Sequence, residues 1–360
     1  MRLSLYIAVL CSAAFASPHP VSQVLQEAVR QKQIPGAVIV VQQHGKIVFE
    51  EAAGLADIAA GRNMRIDGIF MMASSSKPIA ATAILTLVDR GKLSLDDPVT
   101  KYFPTFQGSS TIRQLLCHTS GIFGNGTPEM TEPIRNFDRS LKDAVEMIVK
   151  LPLVYTPGEK YSYGGASFCV AGRIAEILTV MDFEEYAAKA LFQLLNMKDT
   201  VYRTARDITG RVPLLYTKKN GQFEKIRAVM EPPDHAGPRK DGFVLVPGVI
   251  YSTGHDLIQF LQMHLNGGTL QGKRILSNAM VVEMRRKQTG DLKEEYGLGW
   301  QRSKVGKDGV PAVVSHGGAY GTEIFIDTGK DLVGAILTQM PSAQAKPFIT
   351  EIRNAIDSAF

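Results

Sequence analysis

The sequence predicts an α/β (α+β) fold: a central antiparallel sheet built from both chain ends and flanked by helices, with a mostly helical segment inserted. Three observations carry that prediction. Strand-like runs occur early, at residues 37–42 and 46–50, and then only late, at 297–302, 312–315, 323–327 and 332–339. Between about 78 and 205 the apolar residues recur with helical spacing or give way to loops. A helical pattern also stands near each end, at 21–33 and 347–360. Strands at the ends and helices between them favour one sheet with an insertion, covering residues 17–360. The α/β part then takes about 20–77 and 246–360, and the helical insert about 78–245.

Composition narrows the class. The 360 residues are 45% hydrophobic and 21% charged, ordinary for a globular chain with a substantial core. The net charge of +5 is modest. Basic residues cluster only at Arg285-Arg286-Lys287 and Lys218-Lys219, which describes solvated faces and excludes a nucleic-acid footprint. The N-terminus reads as a signal peptide: Met1-Arg2, an apolar run to residue 16, then Ala14-Phe15-Ala16 before Ser17-Pro18. The expectation is cleavage after Ala16 and export, to the periplasm or beyond, with no membrane span. Cys117 and Cys169 lie in apolar surroundings and read as two buried thiols, although export would permit a disulfide.

The elements follow in order. Ile34-Pro35-Gly36 ends the first helix, and His44-Gly45 joins the first two strands as a hairpin. Residues 54–67 are turn-rich. Met71-Met72-Ala73-Ser74-Ser75-Ser76-Lys77-Pro78 then leads into an apolar helix closed by Gly91. Pro78 is tolerated only in a first turn, so the helix starts within the serines. Further helices are expected at 111–116, 141–150, 167–178 and 183–195. Residues 206–245 lack periodicity and read as long loop. Ser252 or Thr253 caps a helix over 256–265 that Gly267-Gly268 closes.

The chemistry starts at Ser74. At a helix start, free N–H groups and the dipole favour negative charge, and Lys77 lies one turn on along the same face. A lysine on so apolar a helix is desolvated, which lowers its pKa and makes it a usable base. Alone, Ser-x-x-Lys is a weak signal and reads first as an N-cap serine with a solvated lysine. Other motifs are absent or broken. There is no G-x-S-x-G and no H-E-x-x-H, so neither an α/β-hydrolase elbow nor a zinc site is indicated. The run from Gly267 to Lys273 nearly makes a P-loop, but Arg274 stands where Ser or Thr is needed. Asn125-Gly126-Thr127 is a glycosylation sequon, meaningful only in a eukaryotic secretory host. Two glycine-rich stretches remain, Tyr161-Ser162-Tyr163-Gly164-Gly165 and Ser315-His316-Gly317-Gly318-Ala319, each readable as packing or as part of a site.

Taken together, these stretches resemble the serine β-lactamase and penicillin-binding-protein superfamily, in its class C-like branch of esterases and peptidases. Four connectors strengthen the resemblance: Gly91-Lys92-Leu93-Ser94-Leu95-Asp96-Asp97-Pro98-Val99, Leu115-Leu116-Cys117-His118-Thr119-Ser120-Gly121, Tyr251-Ser252-Thr253-Gly254-His255-Asp256-Leu257 and Tyr296-Gly297-Leu298-Gly299-Trp300. The resemblance implies a β-lactamase/transpeptidase-like fold and an acyl-enzyme mechanism without a cofactor or metal. It implies Ser74 as nucleophile, Lys77 as its base and Tyr163 as proton carrier. His316-Gly317-Gly318 falls on the Lys-Thr-Gly box, and the oxyanion hole would be the amides of Ser74 and Ala319. His118 reads as a structural, hydrogen-bonded histidine.

Two positions depart from the pattern. Gly165 replaces an asparagine that would hold a substrate amide, and His316 replaces a fixed cation for a substrate carboxylate. A normal histidine is mostly neutral at pH 7 and gains charge toward pH 6. The implied activity is therefore that of an exported carboxylesterase on short-chain or small acyl esters. The alternatives are a D-Ala-D-Ala peptidase, D-aminopeptidase or weak β-lactamase, and a non-enzymatic penicillin-binding-like protein. The expected partner is a small ester, lactam or peptide, not a nucleic acid.

Overall fold

The computed structural model describes residues 19–124, 126–204, 206–228, 231, 239–306 and 309–360. The signal-peptide run and Asn125 of the sequon lie outside the described residues.

Helix α1 (Pro20–Arg30) buries Val21, Leu25 and Ala28 and leads to strand β1 (Gly36–Gln43). His44 and Gly45, both at positive φ, turn the chain into β2 (Lys46–Asp57), a turn that suits the right-handed twist of its strands. The second strand runs seven residues beyond its expected end, and β3 (Arg62–Asn63) pairs with its tail. A two-residue strand β4 (Phe70–Met71) delivers the chain to the serines, and α2 (Lys77–Asp89) follows. Eleven of the thirteen residues of α2 are buried, so this helix is the core around which the rest packs.

The middle of the chain is mainly helical: α3 (Ile112–Leu116), α4 (Pro128–Thr131), α5 (Leu141–Ile148), α6 (Ala166–Thr179) and α7 (Phe183–Ala187). Thr111 closes a reciprocal capping box with Gln114 at the start of α3. A hairpin of β5 (Leu215–Lys219) and β6 (Gln222–Ile226) interrupts what reads in sequence as a long loop. Asn220 and Gly221, both at positive φ, make its turn.

Strand β7 (Tyr251–Ser252) pairs antiparallel with β4 and is followed by α8 (Gly254–Leu265), capped by Thr253. The near-P-loop is a small hairpin, β8 (Thr269–Leu270) and β9 (Lys273–Arg274). After α9 (Asn278–Arg285) come β10 (Gln301–Val305), β11 (Pro311–Gly317), β12 (Thr322–Asp327), β13 (Leu332–Thr338) and α10 (Ser342–Ala359). Residues 297–300, expected in a strand, instead approach α2, where a Cβ on Gly299 would lie 2.9 Å from that of Ala81.

One seven-stranded antiparallel sheet, in the order β10-β11-β12-β13-β1-β2-β3, joins the two ends of the chain. Ala37 pairs with Thr338 and Gln43 with Leu332. One face carries α1 and α10, packed through Phe325, Ile336, Phe348 and Ile352. The other carries α2, α8 and the helical middle of the chain in one continuous core. Cys117 and Cys169 are both buried and free. Among the described residues no helix is long and apolar enough to cross a membrane.

Candidate active site

The serine turn is fixed from both sides. The Met72 amide donates to the Ile250 carbonyl beyond the β4–β7 ribbon, and the Ser75 hydroxyl donates to the His316 carbonyl at 2.9 Å. Thr322 Oγ1 donates to the Met72 carbonyl at 3.0 Å. Ala73 is held at φ 46°, a left-handed conformation that non-glycine residues rarely adopt and that clusters at functional sites. A single 3-10 turn, Ala73–Ser76, then runs into α2. Ser74 is thus the half-buried serine of the run, while Ser75 and Ser76 are wholly buried.

Lys77 Nζ lies 3.1 Å from Ser74 Oγ and 2.7 Å from the Tyr163 hydroxyl. The three side chains form one hydrogen-bonded cluster. Its lysine is 3% exposed, with its amine 4.3 Å from the Tyr163 ring centre. Burial drives the Lys77 amine down to about 7. The same cause pushes the Tyr163 phenol up to about 12, a shift that its hydrogen bond with Ser74 partly offsets. At neutral pH the amine is partly free to accept a proton, whereas the phenol holds one to give. Two groups with pKa values pushed apart in this way suit acid and base roles.

Tyr163 is placed by the connector around His118. The Ser162 amide donates to the His118 carbonyl, Gly158 to that of Thr119 and Val154 to that of Gly121, at 2.8, 2.8 and 2.9 Å. His118 and Gly121 are both at positive φ, which turns these carbonyls toward the tyrosine loop. The His118 ring is buried among Tyr161, Tyr163, Phe168 and Tyr296. Among the described residues neither ring nitrogen has a hydrogen-bond partner, so the ring expected to be hydrogen-bonded is instead packed among aromatic rings. Burial holds it well below the usual histidine range.

The strand box presents its backbone, not its histidine. His316 is 1% exposed. Its Nδ1–H donates to the Gly317 carbonyl at 2.9 Å, so Nε2 accepts from the Tyr296 hydroxyl at 3.0 Å. Burial, with the Lys77 charge second, drives the imidazole down to about 3. The expectation that His316 gains charge toward pH 6 is therefore corrected: the ring stays neutral throughout that range. Gly318 sits so close that a Cβ would lie 2.2 Å from Thr322 Oγ1 and 2.3 Å from the Met72 carbonyl. Gly317 faces open space. Ala319 is tied through its carbonyl to the Ser342 amide, at the start of α10.

A cleft of about 570 Å³ opens on Ser74. Ser74, Tyr163, Gly317, Gly318 and Ala319 line it, so the structure brings five of the expected site residues together. His316 and Gly165 are not among its lining. A Cβ on Gly165, the N-cap of α6, would face Leu245, Ile134 and Pro247 at 3.5–3.6 Å. The rest of the lining includes Glu323 on β12 and Ala343, Lys346, Ile349 and Thr350 of α10. Sequence reasoning missed these. Residues 343 and 346 precede the helix expected from 347, and nothing in the sequence says which cleft the terminal helix faces.

A buried lysine shared between a serine at a helix start and a tyrosine, beneath a strand edge of the sheet, defines a serine hydrolase. The chain belongs to the beta-lactamase family, whose model it matches over residues 21–353. It is 30% identical to the esterase EstB of Burkholderia gladioli over 378 aligned positions, covering 92% of this chain and 93% of that one. It is 28% identical to penicillin-binding protein 4 of Amycolatopsis lactamdurans, covering 89% and 84% of the two chains. Among solved structures, EstCE1, described as a hydrolase with promiscuous acyltransferase activity, superposes with a TM-score of 0.81 at 21% identity, covering 94% and 97%. That likeness concerns the fold.

Proposed function

We propose that the protein is a carboxylesterase that works through an acyl-enzyme at Ser74. Lys77, poised near neutrality, takes the serine proton as the hydroxyl attacks the ester carbonyl. Tyr163 passes a proton to the departing alcohol and is reprotonated through Lys77, 2.7 Å away. The amides of Ser74 and Ala319, which flank the cleft, receive the developing oxyanion. Water then repeats the sequence in reverse and frees the acid.

The observation that carries the ester reading is the neutral, fully enclosed His316. A charge-assisted hydrogen bond to a substrate carboxylate is worth about 1.5–3 kcal/mol, roughly ten- to a hundredfold, and the strand box offers no such cation. Lys346 is a cation in the cleft lining, but it is exposed and solvated on α10. Gly165 adds no side chain to position an amide. Esters, with their better leaving groups, lose least from both changes. The esterase among the relatives supports this reading. The penicillin-binding relative keeps a D-Ala-D-Ala peptidase or weak β-lactamase as the second reading.

A panel of p-nitrophenyl butyrate, a chromogenic cephalosporin and a D-Ala-D-Ala peptide tests it. The expected kcat/KM is far higher for the ester. A higher value for the cephalosporin would replace the esterase reading with the second one. We further propose export, from the basic start and the Ala14-Phe15-Ala16 site. N-terminal sequencing of secreted protein should begin at Ser17, and a mature chain retaining residues 3–16 would refute it.

A further inference from the structure

The cleft contains a half-made ion pair. Glu323 stands directly opposite Gly317 in the β11–β12 register, so the two positions share one face of the sheet. Glycine at 317 leaves that face open: a Cβ there would meet nothing nearer than the Thr322 carbonyl at 3.8 Å. The Glu323 side chain is 22% exposed and lines the cleft with Ser74. Among the described residues its carboxylate accepts no hydrogen bond. The nearest cation, Arg353 Nη1 on α10, lies 3.7 Å away, beyond hydrogen-bond reach, and among the described residues that buried nitrogen has no hydrogen-bond partner. Arg353 is held instead over the Phe325 ring, 3.5 Å from its centre. Burial raises the Glu323 carboxyl above its ordinary range despite that neighbour.

A carboxylate that lines a cleft and accepts no hydrogen bond from the protein keeps its lone pairs available to a donor on a ligand. Glu323 lines the same space as Ser74, where a substrate must lie. We propose, building on the esterase reading, that Glu323 is a specificity-determining residue, accepting a hydrogen bond from a hydroxyl of the ester across the opening at Gly317. A neutral donor fits better than a cation, because Arg353 behind and Lys346 in the same cleft lining already set two positive charges against one negative. The preferred substrates are then hydroxylated esters rather than plain alkyl esters.

Matched pairs of esters test this: ethyl butyrate against 2-hydroxyethyl butyrate for the alcohol side, and methyl butyrate against methyl 3-hydroxybutyrate for the acyl side. In one pair the hydroxylated member should have about tenfold or more higher kcat/KM, the value of a hydrogen bond to a charged group. Glu323→Gln should cut that ratio to below about threefold. Gly317→Thr, which leaves the carboxylate in place but fills the opening, should cut it as well. Circular dichroism and melting establish that both variants fold. Equal kcat/KM within both pairs, or a ratio that survives both substitutions, overturns the inference while p-nitrophenyl butyrate turnover leaves the esterase reading standing. Failure to hydrolyse any ester overturns both.

Discussion

Replacing Lys77 by methionine removes the amine and keeps most of the volume. Two opposite effects follow from its burial. In the folded chain Lys77 binds its proton less tightly than in the unfolded chain, with a value of about 7 against the ordinary 10.5 of a lysine. Unfolding therefore takes up a proton between those values, and stability rises with pH across that window. At pH 7 the burial costs about 4 kcal/mol. Methionine relieves that cost and gives up two hydrogen bonds of about 1 kcal/mol each. The variant should be more stable at pH 7 by about 2 kcal/mol, an advantage that shrinks as pH rises from 7 and reverses before pH 10. Its kcat/KM should fall by about 10²–10⁴, the usual contribution of a general base. In the wild type the amine is about half neutral at pH 7 and about one-tenth neutral at pH 6, so kcat/KM should drop about fivefold between them. Urea titrations of both proteins at pH 7 and 10, with ester kinetics from pH 6 to 9, measure all of this. A Lys77→Met protein less stable than wild type at pH 7, or a wild-type rate flat from pH 6 to 8, would refute the assignment of a desolvated base.

A fluorophosphonate should modify Ser74 and nothing else in the serine run, since Ser75 and Ser76 are wholly enclosed, and Ser74→Ala should abolish the adduct; peptide mapping that finds it on Ser75 would displace the nucleophile. Gly318→Ala places a methyl group 2.3 Å from the Met72 carbonyl, so the turn ahead of Ser74 must shift. Its kcat/KM should fall at least about tenfold by misplacement alone, and unchanged kinetics would show that the strand edge does not set the turn. Because His316 stays neutral down to about pH 3, the ratio of rates on carboxylate-bearing and neutral esters should not move between pH 8 and 6. A ratio that improves toward pH 6 would mean that the imidazole reaches the cleft.

The serine turn, the buried lysine and the two-ended sheet were legible because each rests on local chemistry: a proline that fixes a first turn, an apolar helix, alternating runs at both termini. The hairpin at Asn220-Gly221 was equally local and was missed, since its strands, Leu215–Lys219 and Gln222–Ile226, carry lysines and a glutamate that mask the alternation. Pro347 was read as a helix start, yet α10 begins at Ser342. The proline sits inside the helix, where the bond it cannot donate would have gone to Ala343 in the cleft wall. The orientation of His316 was out of reach. Its inward turn depends on Tyr296, twenty residues earlier, and pairing across such distances leaves no periodic trace. Glu323 and Lys346 share a cleft only because α10 crosses the sheet.

The register of Ala37 against Thr338 has a consequence in time. Bringing strands some 300 residues apart into contact costs about 5 kcal/mol in loop closure before any ladder bond repays it, which makes the joining of the ends a late step in folding. The serine turn and the strand edge against it are likewise 241 positions apart. On a ribosome adding about 5–20 residues per second, the strand follows the serine by tens of seconds. Throughout that interval a growing chain lacks the strand that completes the cleft beside its serine and lysine. Reactivity would appear abruptly, on closure of the sheet, and not gradually with chain length.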